Sequence, residues 1–121
     1  MTNRSPRLLI SKKFPYIPIK IEFRHRKEKI EVLLDTGFDG DVIMPEGLVS
    51  NGEPADEYLS WRMADGSLIS APAYRGSLEI GNIRLGRVLV TVLGNKAIIG
   101  RHAILNFKIT LDHGKLVIVD K

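Results

Sequence analysis

The residues with the clearest capacity for chemistry are Asp35, Thr36 and Gly37, which stand at the end of the aliphatic run Val32-Leu33-Leu34. A strand with core composition thus delivers an acid to a turn. An aspartate placed there is held rigidly and partly out of water, where burial and neighbouring groups set its proton affinity, as acid–base catalysis requires. Thr36 can lock the turn through its hydroxyl, and Gly37 frees the backbone and lets a ligand come close. An Asp-Thr-Gly turn also has a purely structural use, with the carboxylate accepting hydrogen bonds from its own turn. The tripeptide takes its meaning from its surroundings.

Other chemistries are narrowed by elimination. The chain has no cysteine, which excludes disulfides, thiolate zinc sites and a cysteine nucleophile. His25, His102 and His113 fall in a charged tip, at a helix start and in a turn, without metal-ligand spacing, and read as solvated histidines. No serine occupies a Gly-x-Ser-x-Gly elbow, and no glycine run has the form of a phosphate loop. Neither a metal nor a cofactor is expected.

The elements that must position Asp35 read as short strands separated by turns. Ile17, Ile19, Ile21 and Phe23 alternate with Pro18, Lys20 and Glu22, the two-residue period of a half-buried strand over 17–23. A second strand over 30–34 returns to Asp35, so residues 24–29 are expected to close a hairpin as a charged tip. Beyond the Asp35 turn come a short strand over 41–44, a break at Pro45-Glu46-Gly47 and a loop over 51–56. Strands over 58–63 and 68–80 flank Ala64-Asp65-Gly66-Ser67, where Asp-Gly is a strong hairpin signal. A strand over 83–93, a segment over 97–100, one helix over 101–107 and strands over 108–111 and 115–119 complete a mostly-β chain. Trp61 and Tyr58, ahead of the Asp-Gly turn, read as packing residues that could also line a cleft.

With 121 residues, 44% of them hydrophobic, the chain suits one domain with one core. Residues 14–121 are assigned to that domain and residues 1–13 to a flexible tail or pro-segment. Nothing approaches the roughly 18 consecutive apolar residues of a membrane helix. The apolar run Leu8-Leu9-Ile10 is too short for a signal-peptide core, so a cytoplasmic setting without a membrane partner is expected. Nine of the 18 basic residues lie between Arg4 and Lys29, against Glu22 and Glu28. Such a cluster can be a nucleic-acid footprint, but a solvated hairpin tip explains it as well, and no nucleic-acid partner is assigned.

Two distant segments, with a third between them, resemble the retropepsin-like aspartic proteases, the retroviral-type branch of the pepsin clan. Leu33-Leu34-Asp35-Thr36-Gly37-Phe38-Asp39-Gly40-Asp41-Val42-Ile43 is similar to the family's active-site strand, turn and following strand. Ala97-Ile98-Ile99-Gly100-Arg101-His102-Ala103-Ile104-Leu105 is similar to its aliphatic-plus-glycine strand leading into a single helix. Arg62-Met63-Ala64-Asp65-Gly66-Ser67-Leu68 sits where the family places its flap hairpin. Phe38, often a small residue in the family, His102, commonly an amide there, and a flap with one glycine depart from the pattern.

The resemblance implies a small closed, barrel-like β fold with a flap hairpin and one short C-terminal helix. It implies an aspartic endopeptidase acting on a peptide or protein, with Asp35 catalytic, Thr36 and Gly37 completing the motif, and Thr36 bracing a homodimer across its two-fold. Substrate contacts would come from Gly37, Phe38, Asp39, Ala64, Asp65, Gly66, Ile98 and Ile99, and Asp39 would pair with Arg101. One carboxylate is not enough, and the chain holds a single Asp-Thr-Gly, so two copies must meet at the site. The N-terminal tail and the strand over 116–119 would supply interface strands. A catalytically silent module that binds peptides or dimerises would have nearly the same sequence.

Overall fold

A computed structural model describes residues 7–49 and 53–121. Residues 1–6, and residues 50–52 around the start of the expected loop, lie outside the described residues.

The alternation at Ile17, Ile19, Ile21 and Phe23 forms strand β2 (Tyr16–Phe23), with those four side chains buried and the residues between them exposed. The chain returns as β3 (Arg26–Leu34), paired in antiparallel register from Phe23 opposite Arg26 to Tyr16 opposite Leu33. The expected six-residue tip is therefore a two-residue turn. Arg24 and His25 both adopt positive φ, 50° and 64°, the mirror-image turn whose twist matches that of the strands. This conformation costs a non-glycine residue about 1 kcal/mol. Tertiary contacts hold it: Arg24 Nη2 donates to Pro54 O at 2.7 Å and to Asp56 Oδ1 at 2.9 Å, and its guanidinium lies 5.4 Å from the centre of the Tyr74 ring.

Strands β4 (Val42–Met44), β6 (Leu68–Ile80), β7 (Ile83–Val92) and β8 (Ile98–Ile99) complete a barrel with the order β2-β3-β8-β4-β7-β6. Pairing of β2 with β6 closes these six strands, and β5 (Glu57–Arg62) adds to the outer edge of β6. Closure needs Gly76, because a Cβ there would lie 2.3 Å from the Glu22 carbonyl oxygen of β2. A shift in the β6–β7 register falls at the same place, between Gly76 and Leu78. The barrel interior is filled by fully buried side chains, among them Ile17, Val32, Val42, Met44, Tyr74, Ile80, Val90 and Ile99. Each large aliphatic of this set contributes about 1.5–3 kcal/mol on leaving water.

After β8 a single helical turn, α1 (Arg101–Ile104), replaces the longer helix expected over 101–107. Only Ala103 of α1 is fully buried, with Ile104 half-buried against the core beside it, so little of the helix anchors it. The following amides switch to bonds that span three residues, Asn106 N to Ala103 O and Phe107 N to Ile104 O, while the Asn106 side chain donates to the Ala103 carbonyl at 3.0 Å. Side-chain capping of that carbonyl competes with another helical turn.

The two ends of the described chain form a separate antiparallel sheet, β1 (Leu9–Ser11), β10 (Leu116–Asp120) and β9 (Lys108–Asp112), with β10 in the middle. The segment expected as a tail thus contains a strand. The C-terminal strand, expected to offer an unpaired edge, is paired on both sides within its own chain. Leu8 N donates to Val119 O at 2.9 Å, and the Leu8 carbonyl passes 2.1 Å from where a Cβ on Gly81 would sit, which ties this end to the β6–β7 turn. Among the described residues no helix is long and apolar enough to cross a membrane.

Candidate active site

Asp35 is positioned by the main chain. Strand β8 runs parallel to β3, with Leu33 opposite Ile98 and Leu34 opposite Ile99, and antiparallel to β4, so it is threaded between the strands on either side of the Asp35 turn. Leu33 N donates to Ala97 O at 2.9 Å and Asp35 N to Ile99 O at 3.0 Å, which fixes the backbone on both sides of Leu34. The half-exposed Asp35 carboxylate accepts from Gly37 N at 2.9 Å through Oδ1. A Cβ at Gly37 would lie 3.2 Å from that oxygen, so glycine keeps the approach open. Thr36 and Gly37 are exposed at the crest of the turn.

The second segment docks on the turn by three further main-chain bonds. Gly100 N donates to Asp41 O at 2.8 Å, Arg101 N to Phe38 O at 2.8 Å and His102 N to Gly40 O at 3.2 Å. Gly100 has no room for a side chain, since a Cβ would sit 2.4 Å from Gly40 O and 2.7 Å from Phe38 O. Arg101 Nη2 donates to Asp39 Oδ1 in an exposed ion pair, a class that adds about 0–1 kcal/mol.

One pair here was missed by the sequence reading. Asp41 is buried; its Oδ2 accepts from Leu89 N of β7 at 2.9 Å, and its Oδ1 accepts from His102 Nδ1 at 2.6 Å. His102 is therefore a tethered residue whose side chain remains 70% exposed, where a free solvated one was expected. The signal available was its place beside Arg101, with Asp41 two residues after Asp39: the two acid–base pairs are formed by neighbouring residues of the same two segments.

The flap is the β5–β6 hairpin, registered from Glu57 opposite Ala73 to Arg62 opposite Leu68. Met63 N donates to Ser67 O at 2.7 Å, Gly66 N to Met63 O at 2.9 Å, and Gly66 takes φ 89°. Asp65 Oδ1 accepts from the Ser67 hydroxyl at 2.6 Å and the Ser67 amide at 2.9 Å. These bonds, the hydroxyl's first, hold the Asp65 carboxyl below its ordinary range. Ala64, Asp65 and Gly66 are exposed at the tip. The flap meets the floor of the site where Trp61 packs against Phe38, ring centres 4.9 Å apart at 59°.

The structure thus brings Asp35, Gly37, Phe38, Asp39, Ile98 and Arg101 into one region, and the Trp61 contact joins the flap to it. Ile98 is half-buried, whereas Ile99 has no exposed surface and belongs to the core. Hollows of about 380 and 350 Å³ lie elsewhere, over β2, β3 and β6, and neither is lined by Asp35. Charges of both signs alternate across that face, Lys20 lying between Lys29 and Glu79 and Glu22 opposite Lys27, so the basic residues of the N-terminal third do not form an unbroken stripe. Among the described residues no group of three histidines, aspartates or glutamates could hold a metal ion.

A closed β-barrel with a strand threaded beside the Asp35 turn, a flap hairpin and one short late helix is a retropepsin-like fold. The crystal structure of a retropepsin-like aspartic protease from Rickettsia conorii matches it with a TM-score of 0.60, over 92% of this chain and 88% of that one, at 19% sequence identity. Neither a protein-family model nor a curated protein matches the sequence.

Proposed function

We propose that the chain is an aspartic endopeptidase, active as a homodimer in which two Asp35 carboxylates face each other across a two-fold axis. The observation that carries this is the Asp35 turn: a half-exposed carboxylate whose backbone is fixed by β8 and whose Oδ1 is oriented by Gly37 N at 2.9 Å. A partner copy would complete the site. Two carboxyls about 3 Å apart cannot both ionise, so they share one proton. The ionised Asp35 takes a proton from a water between them as it attacks the scissile carbonyl, and the protonated one polarises that carbonyl and later supplies the proton of the leaving amine. Thr36, at the exposed crest, would brace the axis, and the flap would close over an extended peptide and exclude water. Gly37, Asp39, Ile98 and the flap residues Ala64, Asp65 and Gly66 would line the peptide groove, with Ile99 supporting it from the core.

A second reading, a silent peptide-binding module, is favoured by one observation, that the Asp35–Gly37 bond is also the bond of a plain aspartate turn. One experiment separates the two. Sedimentation should show a dimer, and a mixed peptide library scanned over about pH 4–7, as a coupled pair of carboxyls calls for, should be cleaved by the natural chain and left intact by Asp35→Asn. Cleavage that survives the substitution, or a strict monomer at high concentration, defeats the proposal; a peptide-binding dimer that cleaves nothing establishes the module.

A further inference from the structure

We infer that Phe38 and Trp61 together form a wall that restricts the peptide to small side chains at two positions placed symmetrically about the scissile bond; this rests on the endopeptidase reading. Phe38 stands three residues after Asp35, its amide donates to the Asp35 carbonyl at 3.3 Å, and its ring lies over Gly40 and Gly100 where the two segments meet. Trp61 belongs to the flap, one residue before Arg62, whose guanidinium reaches the tip carbonyl of Gly66 at 3.2 Å. With their ring centres 4.9 Å apart, floor and flap touch through these two residues. A peptide between flap and floor must run beside that contact.

The wall cannot retreat. The Phe38 ring sits on two glycines, lying 2.5 Å from where a Cβ on Gly40 would be and 2.4 Å from one on Gly100, while Trp61 Cη2 lies 2.9 Å from the same Gly40 position. The main chain beneath is pinned by the bonds from Gly100, Arg101 and His102 to Asp41, Phe38 and Gly40. A bulky substrate side chain would have to break the aromatic contact to enter. The Trp61 indole Nε1–H is moreover enclosed and has no acceptor among the described residues. Its enclosure shows how closely the indole is packed into the wall. Because a two-fold repeats the wall in each protomer, the selection appears once on either side of the cleaved bond.

The experiment maps the cleavage products of a randomised peptide library by mass spectrometry for the natural chain and Phe38→Ala, with Phe38→Leu used if the alanine variant does not fold. Glycine, alanine and serine should exceed leucine and phenylalanine about tenfold, a pocket-sized discrimination, at one symmetric pair of positions. Phe38→Ala should abolish the excess at those two positions and leave preferences elsewhere in place. Cleavage without such a pair, or a map unchanged by Phe38→Ala, overturns the inference and leaves the endopeptidase reading standing. A readout independent of cleavage uses Trp61, the only tryptophan of the chain, in Asp35→Asn. Its emission should shift on binding library-derived peptides, about tenfold more tightly for small than for bulky residues at the selected positions. Equal affinities overturn the inference even if no peptide is cleaved, and the failure of every peptide to bind overturns it together with the endopeptidase reading.

Discussion

The turn that carries Asp35 and the sheet made by β1, β10 and β9 are held by different means. Around Asp35, segments approach so closely that backbone meets backbone: Gly100 lies against the carbonyls of Phe38 and Gly40, and amides of one segment donate to carbonyls of the other. In the terminal sheet the ladder is regular, and side chains supply the cohesion. Val117 and Val119 are fully buried, while Ile10 and Leu111 remain 49% and 55% exposed. Main-chain proximity admits no change of residue, whereas side-chain burial tolerates replacement at a graded cost. The region proposed for chemistry is built in the first way and the terminal sheet in the second, apart from the close approach of the Leu8 carbonyl to Gly81 that ties the sheet to the barrel.

The sharpest way to break this comparison is Gly100→Ala. Its new Cβ would meet carbonyl oxygens that cannot rotate away, and a loss of about 3 kcal/mol or more is expected in urea unfolding, the upper end for overpacking. Val117→Ala in the terminal sheet removes a buried side chain without a clash and should cost about 2 kcal/mol, with Trp61 emission unchanged. Equal losses would mean that the two regions are built alike. The smallest effect is expected at the flap tip. The Asp65 carboxyl is held below the ordinary aspartate value of 3.8, so its contribution is present above that value and fades as the pH falls through the lower folded-state value. The protection factor of the Ser67 amide, its exchange rate relative to the intrinsic rate at the same pH, should fall at such acid pH while global unfolding stays nearly unmoved, and Asp65→Ala should lower that protection at neutral pH and remove its pH dependence.

Much of the fold was legible because its signals are local. Alternation at Ile17, Ile19, Ile21 and Phe23 gave β2 its faces, Asp-Gly marked the flap turn, and the two resembling segments did fall side by side. What escaped has non-local causes. Arg24 is a poor residue for positive φ, and Pro54, Asp56 and Tyr74, far along the chain, hold it there. Strand β1 is three residues long and exists by pairing with residues over a hundred positions later, as Leu9 opposite Val119 shows. The Phe38–Trp61 contact likewise joins residues whose own neighbours carry no trace of the partner, while the Asp41–His102 pair could be read only from its place beside Asp39 and Arg101.

The seat beneath Phe38 also bears on the order in which this site can change. The nearest obstacles to a side chain at Gly40 are the rings of Phe38 and Trp61, whereas one at Gly100 meets main-chain oxygens as well. Alanine at position 40 should thus become tolerable only after Phe38 has shrunk, a coupling between neighbours that separate substitutions would not reveal. Position 100 stays closed along every such path. Once Gly40 had been filled after such a change, phenylalanine could no longer return at position 38, so the second substitution would lock in the first.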